Sequence, residues 1–300
     1  MEDYAFSIFG GYIQQFQSIM RMRHNGSIHE FVNLPSVLDG ESCKYIEHSF
    51  FYDLTISACK NEQNGGEVYL YTTTYTASKP FVNGPYYSSA KHVRSVHVME
   101  DLLALVDVDE NLFQMTREGG VIIYAMNHDP YEPEIFDELE FIDSTDLTAA
   151  NDWPGGPCYI ANAHFVFTNV TETYRLVITE LRNGFFVVDF KYTKNRKSVE
   201  ILKVEFINMH EELIKLHLPL PNLAFFTAIT INKEYYDTTF NYWQTEVIVV
   251  TSNFHSFQVN LHIDKTGTVV SHDIARVFYR YGFYEAENYI KAFDGYFAIG

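Results

Sequence analysis

Asp107, Asp109 and Asn111 stand at alternate positions in the stretch DVDEN. Oxygens spaced this way converge on Ca²⁺ in loop sites. An EF-hand loop also needs glycine at its sixth position, and Leu112 stands there. Two readings follow: a Ca²⁺ loop held by Asp107, Asp109 and Asn111, or the plainer one, an acidic hairpin turn. The twelve histidines show no ligand spacing. His92 and His97 are separated by an odd number of residues, which puts them on opposite faces of a strand and argues against a shared metal. His128 sits in an Asp-Pro turn, and His164 within a strand-like run reads as a core histidine with a satisfied ring. No Gly-x-Ser-x-Gly elbow, Walker loop or Gly-x-Gly-x-x-Gly fingerprint occurs, and no cysteine opens a helix in a basic context. With 39 Asp and Glu in the chain, any two carboxylates can meet, so their abundance does not single out a glycosidase-like pair.

Cys43 and Cys59 flank a segment that reads as a hairpin, CKYIEHSFFYDLTISAC. A turn centred near Phe51 sets them face to face across antiparallel strands. A bridge there would contribute about 3 kcal/mol in the chain-entropy model. The alternative is two buried thiols. Cys158, in WPGGPC, has no obvious partner. Glycosylation sequons stand at Asn25 and Asn169. With the cysteine pair they lean towards a secreted or cell-surface setting. A cytoplasmic chain with reduced thiols is the alternative.

Aromatic clusters are the most suggestive feature. Pro85-Tyr86-Tyr87, Glu234-Tyr235-Tyr236, Phe240-Asn241-Tyr242-Trp243 and Phe278–Tyr284 fall at or near expected loops. Exposed Tyr and Trp serve protein and sugar contacts, whereas buried ones pack sheet against sheet. Packing is the plainer expectation.

These residues are held by a chain of 300 residues, 47% apolar and rich in Phe and Tyr, a composition that suits pleated, half-buried strands. The net charge of −18 repels phosphate backbones and anionic lipid heads, which makes nucleic acid and membrane surfaces poor partners; simple solubility is the plainer reading of this charge, and attraction of cations or basic partners the alternative. No apolar run is long enough to cross a bilayer. The first residues show no basic and apolar signal segment. Strand-like runs reach both ends of the chain, which reads as a fragment of something larger.

A small-residue pair followed by an apolar strand recurs at Gly10-Gly11-Tyr12-Ile13, Gly65–Tyr71, Gly119–Tyr124 and Asn183–Asp189, with a degraded copy at Phe254–Val259. The spacing, roughly 55–70 residues, exceeds the ~40–50 of common propeller blades and asks for longer loops. A strand-like run precedes each copy: Tyr4–Phe9, Asp53–Ala58, Leu102–Val108, Tyr174–Glu180 and Glu246–Thr251. Others stand before or after, at Val93–Val98, Tyr159–Phe167, Ile135–Ile142 and Val199–Ile207. Four antiparallel strands per unit make a blade. The expected fold is therefore all-β, a β-propeller of four-stranded antiparallel blades, six to seven in number and incomplete in this chain. It forms one domain over residues 1–300, with units near 1–40, 41–90, 91–145, 157–208, 222–275 and 276–300. Met209–His217 reads as one short helical turn in a loop, or a strand edge, cut short by Pro219 and Pro221, and Asp143–Pro157 as a loop.

GFFVVDF resembles the strand of LVIVD-type propeller repeats through Gly184, Val187 and Asp189, and Asp129–Pro133 resembles their closing turn. IFGGYI is similar to the double glycine of kelch repeats, without the kelch tryptophan. The resemblance implies a propeller scaffold and carries over no catalytic residue. The expected role is a non-enzymatic interaction or structural module of a larger secreted or surface assembly. It would bind other proteins, copies of itself or glycans, with no resident cofactor beyond the Ca²⁺ noted above. The alternative is a propeller-scaffold hydrolase acting on a sugar or ester in the central funnel, and a third reading is an intracellular scaffold.

Overall fold

The computed structural model describes residues 4–10, 17–23, 28–33, 41–49, 54–61, 66–75, 80–108, 119–127, 135–166, 168, 170, 172–218, 225–252, 255–278, 290–293 and 296–299. The chain divides into two compact units, Met1–Phe113 with Ile122–Leu139, and Gln114–Val121 with Glu140–Gly300.

The strands form consecutive antiparallel meanders. β1 (Tyr4–Gly10), β2 (Gln17–Arg23) and β3 (Ile28–Asn33) make a three-stranded sheet. β4 (Glu41–Ser49), β5 (Leu54–Asn61), β6 (Glu67–Tyr75) and β7 (Pro80–Ser88) make the first four-stranded one. β8 (Val93–Met99), β9 (Leu102–Asp107), β10 (Gly120–Asn127) and β11 (Ile135–Ile142) follow. Next come β12 (Ile160–Val166), β13 (Thr173–Glu180), β14 (Gly184–Thr193) and β15 (Ser198–Asn208). The fourth such sheet is β16 (Phe226–Asp237), β17 (Tyr242–Thr251), β18 (Ser256–Ile263) and β19 (Val269–Phe278). A two-stranded pair, β20 (Ile290–Phe293) and β21 (Tyr296–Ile299), comes last. Strand order within every four-stranded sheet follows chain order, as in a propeller blade. Within the first unit β1 lies beside β4 and β4 beside β8; within the second, β12 lies beside β16 and β16 beside β20. First strands meeting first strands is how blades neighbour one another, and the fold class is all-β, of the β-propeller kind.

The glycine-led segments occupy equivalent places. Gly66 immediately precedes β6, while Gly120 and Gly184 open β10 and β14, each the third strand of its sheet. Gly184 has φ +154°, and a Cβ there would stand 2.1 Å from the carbonyl oxygen of Ile207 on β15, so no side chain fits. The degraded copy at 254–259 also supplies a third strand, β18. The first copy is different. Gly10 ends β1, a first strand, and its partner glycine lies outside the described residues.

A shared closure explains the register of three sheets. In each, the residue after the second strand donates its backbone N–H to the residue before the first strand: Val108 to His92 at 2.9 Å, Leu181 to Tyr159 at 2.8 Å, and Ser252 to Phe225 at 2.8 Å. A side chain completes each closure. Asp107 Oδ1 accepts from the N–H of Lys91 and His92 at 3.1 and 2.8 Å. Glu180 Oε1 accepts from Tyr159 N–H at 3.4 Å, and Ser252 Oγ from Phe225 N–H at 3.1 Å.

The second strands β9 and β13 are apolar on both faces, buried along LLALV and LVIT, as in sheets covered on both sides. In the first unit Ile56, Ala58, Val68 and Leu70 meet Leu103, Leu105 and Ile122. In the second unit Val177, Phe185 and Val187 meet Ile229, Val247, Val249 and Phe257. Arg175, fully buried, is held bidentately by Asp189 at 2.6 and 2.9 Å and donates to the carbonyl of Gly267 in the β18–β19 turn at 2.6 Å. The aspartate of the LVIVD-like strand is thus one half of a buried ion pair joining two sheets.

Two α-helices are described, besides a single 3-10 turn at Lys194–Arg196. α1 (Ser144–Thr148) lies where the sequence suggests a loop. Asp143 caps it by accepting from the N–H of Thr145 and Asp146, and the Asp146 carboxylate returns to the Asp143 N–H. α2 (Met209–Lys215) settles the choice between a helical turn and a strand edge in favour of helix, burying Met209 and Leu213 one turn apart beneath an Asn208 cap. No helix among the described residues is long and apolar enough to cross a membrane. Between α1 and β12, Gly155 and Gly156 have φ near +90° and open space around them, while Trp153 is anchored 5.0–5.4 Å from the rings of Phe206 and Phe186.

Candidate functional site

The sheet β16–β19 carries one face of mixed character. Register places Tyr235 opposite Gln244, Lys233 opposite Glu246, Gln244 opposite His262, and Glu246 opposite Asn260, which in turn faces Asp273. Directly opposed residues share a face, so these side chains form one polar, aromatic field. Farther along the same strands the face turns apolar, with Ala228, Ile248 and Val250 buried together. Alternation puts Val247 and Val249 on the other face, in the core.

The field ends at the β16–β17 turn. Asp237 Oδ1 accepts from the N–H of Thr239 and Phe240 at 2.8 and 3.2 Å, and its carbonyl accepts from Asn241 N–H at 2.8 Å. Asn241 takes φ +60°, a conformation asparagine tolerates, and the Tyr236 hydroxyl donates to its amide oxygen. The turn therefore holds Phe240 outward, 68% exposed, as a designed feature of the local hydrogen bonding. Phe240 stacks on Tyr242 with ring centres 5.8 Å apart and planes at 14°. Tyr242 meets the His262 ring edge-on at 4.6 Å. On the opposite face Tyr236 packs edge-on against Trp243 at 5.5 Å.

Polar groups interlock behind the rings. His262 Nε2 and Asp273 Oδ1 are 2.5 Å apart, the other Asp273 oxygen accepts from the Asn260 amide at 3.3 Å, and Gln258 donates to Asn260 Oδ1 at 3.2 Å. Asn232 donates to Glu246 Oε2 at 2.9 Å. Lys233 Nζ lies 5.3 Å over the Tyr235 ring. Burial, reinforced by Glu246 and Asp237, pushes the Tyr235 hydroxyl above its ordinary pKa. Burial, then Asp237 and Asp273, does the same for Tyr242. Chemically, the field offers aromatic faces, carboxylates and amides. It contains a His–Asp pair and no Ser or Cys engaged with that histidine among the described contacts.

The sequence-derived candidates fall elsewhere. Asp107 is bound to backbone N–H groups in the sheet closure, while Asp109 and Asn111 lie outside the described residues. No group of three His, Cys, Asp or Glu able to hold a metal occurs among the described residues. Asn25, Asn169 and His128 also lie outside them. Cys43 and Cys59 stand directly opposite in the β4–β5 ladder, and Cys59 is buried. Cys158 is buried and unbridged. His97 lies within β8, and His164, half-buried in β12, is 2.7 Å from the Phe165 carbonyl oxygen through its Nδ1. Of the aromatic clusters, Tyr86 and Tyr87 stand within β7 and Tyr235 and Tyr236 within β16, so these are strand residues rather than loop residues. Only Phe240 and Asn241 occupy a turn. Phe278 ends β19, and 279–284 lie outside the described residues. Arg175, Glu180 and the His262–Asp273 pair are not among the sequence-derived candidates. Their signal is cross-strand register, which a single chain read linearly does not display.

No family model matches the chain, and no curated protein does. The LVIVD and kelch resemblances therefore extend only as far as the propeller architecture. Solved structures similar to the chain include a putative 6-phosphogluconolactonase from Bacteroides uniformis, at 9% identity over 86% of this chain and 78% of that one, with a TM-score of 0.37. A protein from Lactobacillus plantarum has 9% identity over 91% and 81%, TM-score 0.37. A putative 6-phosphogluconolactonase from Bacteroides fragilis has 8% identity over 94% and 83%, TM-score 0.39. These are likenesses of fold alone.

Proposed function

We propose that the chain is a β-propeller interaction module that binds a partner through the aromatic end of the β16–β19 sheet, in a secreted or surface-exposed setting. Another protein, a second copy of the chain or a glycan would each engage such a surface. The observation that carries the reading is Phe240. A turn built from Asp237 and Asn241 holds a large apolar ring in solvent and stacks it on Tyr242. Exposed aromatics on rigid elements are the usual anchors of binding surfaces.

A second reading is a propeller-scaffold hydrolase acting on a sugar or ester. It stands nearer than the module to the lactonase neighbours, whose likeness at these TM-scores lends it no weight. The His262–Asp273 pair favours it, as the arrangement that orients a general base. Lactone, p-nitrophenyl ester and p-nitrophenyl glycoside hydrolysis that disappears in His262→Asn would establish it.

Selection of a random peptide display library on the folded protein, with counter-selection on Phe240→Ser, tests the module. Binders that lose affinity on Phe240→Ser support it. A library yielding none that depend on Phe240, together with no Phe240-dependent self-association or oligosaccharide binding, overturns it.

A further inference from the structure

We infer that the aromatic end of β16–β19 receives the cationic side chains of a basic peptide segment of a partner protein. This rests on the interaction-module reading and narrows it to one partner chemistry.

The first observation is what surrounds the rings. Aromatic faces carry negative charge density and attract ammonium and guanidinium groups. Phe240 and Tyr242 present two nearly parallel rings, and Asp237 stands directly across the ladder from Tyr242. The Asp273 side chain is 51% exposed on the same face, and Glu246 lies beyond Gln244. The carboxylates that raise the two tyrosines are thus the ones that would neutralise an incoming cation.

The second observation is an interaction of this kind already in place. Lys233 sits over the Tyr235 ring on this field. Of the other basic groups, His262 is held by Asp273, Arg276 stands opposite Gln258 towards the apolar end, and Lys265 lies in the β18–β19 turn at the aromatic end, next to Asp264. Phe240 and Tyr242 therefore lie at the anionic end of the field. A third consideration is long-range. A net charge of −18 draws a basic partner towards the molecule and repels polyanions. A neutral glycan would use the rings and donate hydroxyl hydrogen bonds to the carboxylates, but only a cationic side chain also gains their charge.

The probe is a short synthetic peptide of repeated Arg-Gly-Gly units, compared with the same peptide carrying citrulline, which keeps the shape and loses the charge. Binding to the full chain is measured by calorimetry. Phe240→Leu and Tyr242→Leu keep an apolar side chain but remove the ring, and each should weaken the arginine peptide about three- to tenfold. The surface charge control Asp152→Asn with Glu200→Gln should leave affinity unchanged. Equal affinity of wild type and Phe240→Leu, or an equal loss in the control, overturns the inference and assigns the binding to bulk charge. If the citrulline peptide or a neutral cello-oligosaccharide binds with the same dependence on Phe240, the basic-partner inference falls while the interaction surface stands. If neither these probes, nor any library peptide, nor self-association depends on Phe240, both fall.

Discussion

At the residue scale, the buried ion pair is the most exacting feature. Arg175 is fully buried and Asp189 nearly so. Removing one partner leaves the other charged and desolvated, so Arg175→Ala should cost about 3–5 kcal/mol in urea unfolding. The double variant Arg175→Met with Asp189→Leu should recover most of that loss, because the burial penalty of the pair disappears along with its attraction. Tyr124 gives a pH-dependent counterpart. Its buried hydroxyl is 2.7 Å from Ser88 Oγ, and burial pushes its pKa from 10.0 to about 12. The unfolded chain ionises first. The stability associated with the protonated hydroxyl is therefore complete below pH 10 and lost as pH rises from 10 to 12, to a total of about 2–3 kcal/mol. Tyr124→Phe should be less stable than wild type at pH 7 by about 1 kcal/mol, for the missing hydrogen bond, and should lack that alkaline decline. Unfolding at pH 8 and pH 11 checks both. Glu180 is raised in the same way by burial, against three backbone N–H groups that hold it down. Neither Arg175 nor Glu180 could be singled out from the sequence, since a charged residue in an apolar strand declares its partner only through register.

At the element scale, strands were readable and their exceptions instructive. Runs such as LVITELRNGFFVVDF locate β13, the turn and β14 because sheets covered on both faces need continuous apolar strands. The small-residue pair worked as a marker at Gly119-Gly120 and Asn183-Gly184, where the third strand begins, and misled at Gly10, which ends a first strand. A glycine specifies a backbone need, not which strand has it. Gly184→Ala tests the specific need: its Cβ would collide with the β15 backbone, and a loss of about 2–4 kcal/mol in urea unfolding is expected. Gly66→Ala, facing only the flexible end of Lys60, should cost nearer 1 kcal/mol, from its φ of +80°. α1 escaped notice because five residues leave almost no periodicity, and its real signature is the Asp143–Asp146 box. The exposed aromatics were legible as a class. Which of them is presented to solvent was not, because that depends on the Asp237 turn.

At the scale of the whole molecule, the aromatic-rich composition and the recurring strand runs pointed to the all-β propeller fold, while the face carried by β16–β19 depended on strands brought together across a sheet. The opposed Cys43 and Cys59 bear on the compartment. We propose that they are bridged in the native protein. Intact mass of native material, alkylated without reductant, should show the pair unmodified, and reductant should add two hydrogens and expose both thiols to alkylation. Alkylation of both without reductant would place the chain in a reducing setting. Each four-stranded meander is complete within a continuous piece of chain, and three of the four are fastened at their own closure. Nothing in the ladder of β12–β15 requires the bend at Gly155-Gly156 to be short, and Trp153 secures the chain just before it. That bend is a natural port for grafted sequence: an epitope or a fluorescent reporter introduced there would ride on the surface while the sheets on either side keep their shape.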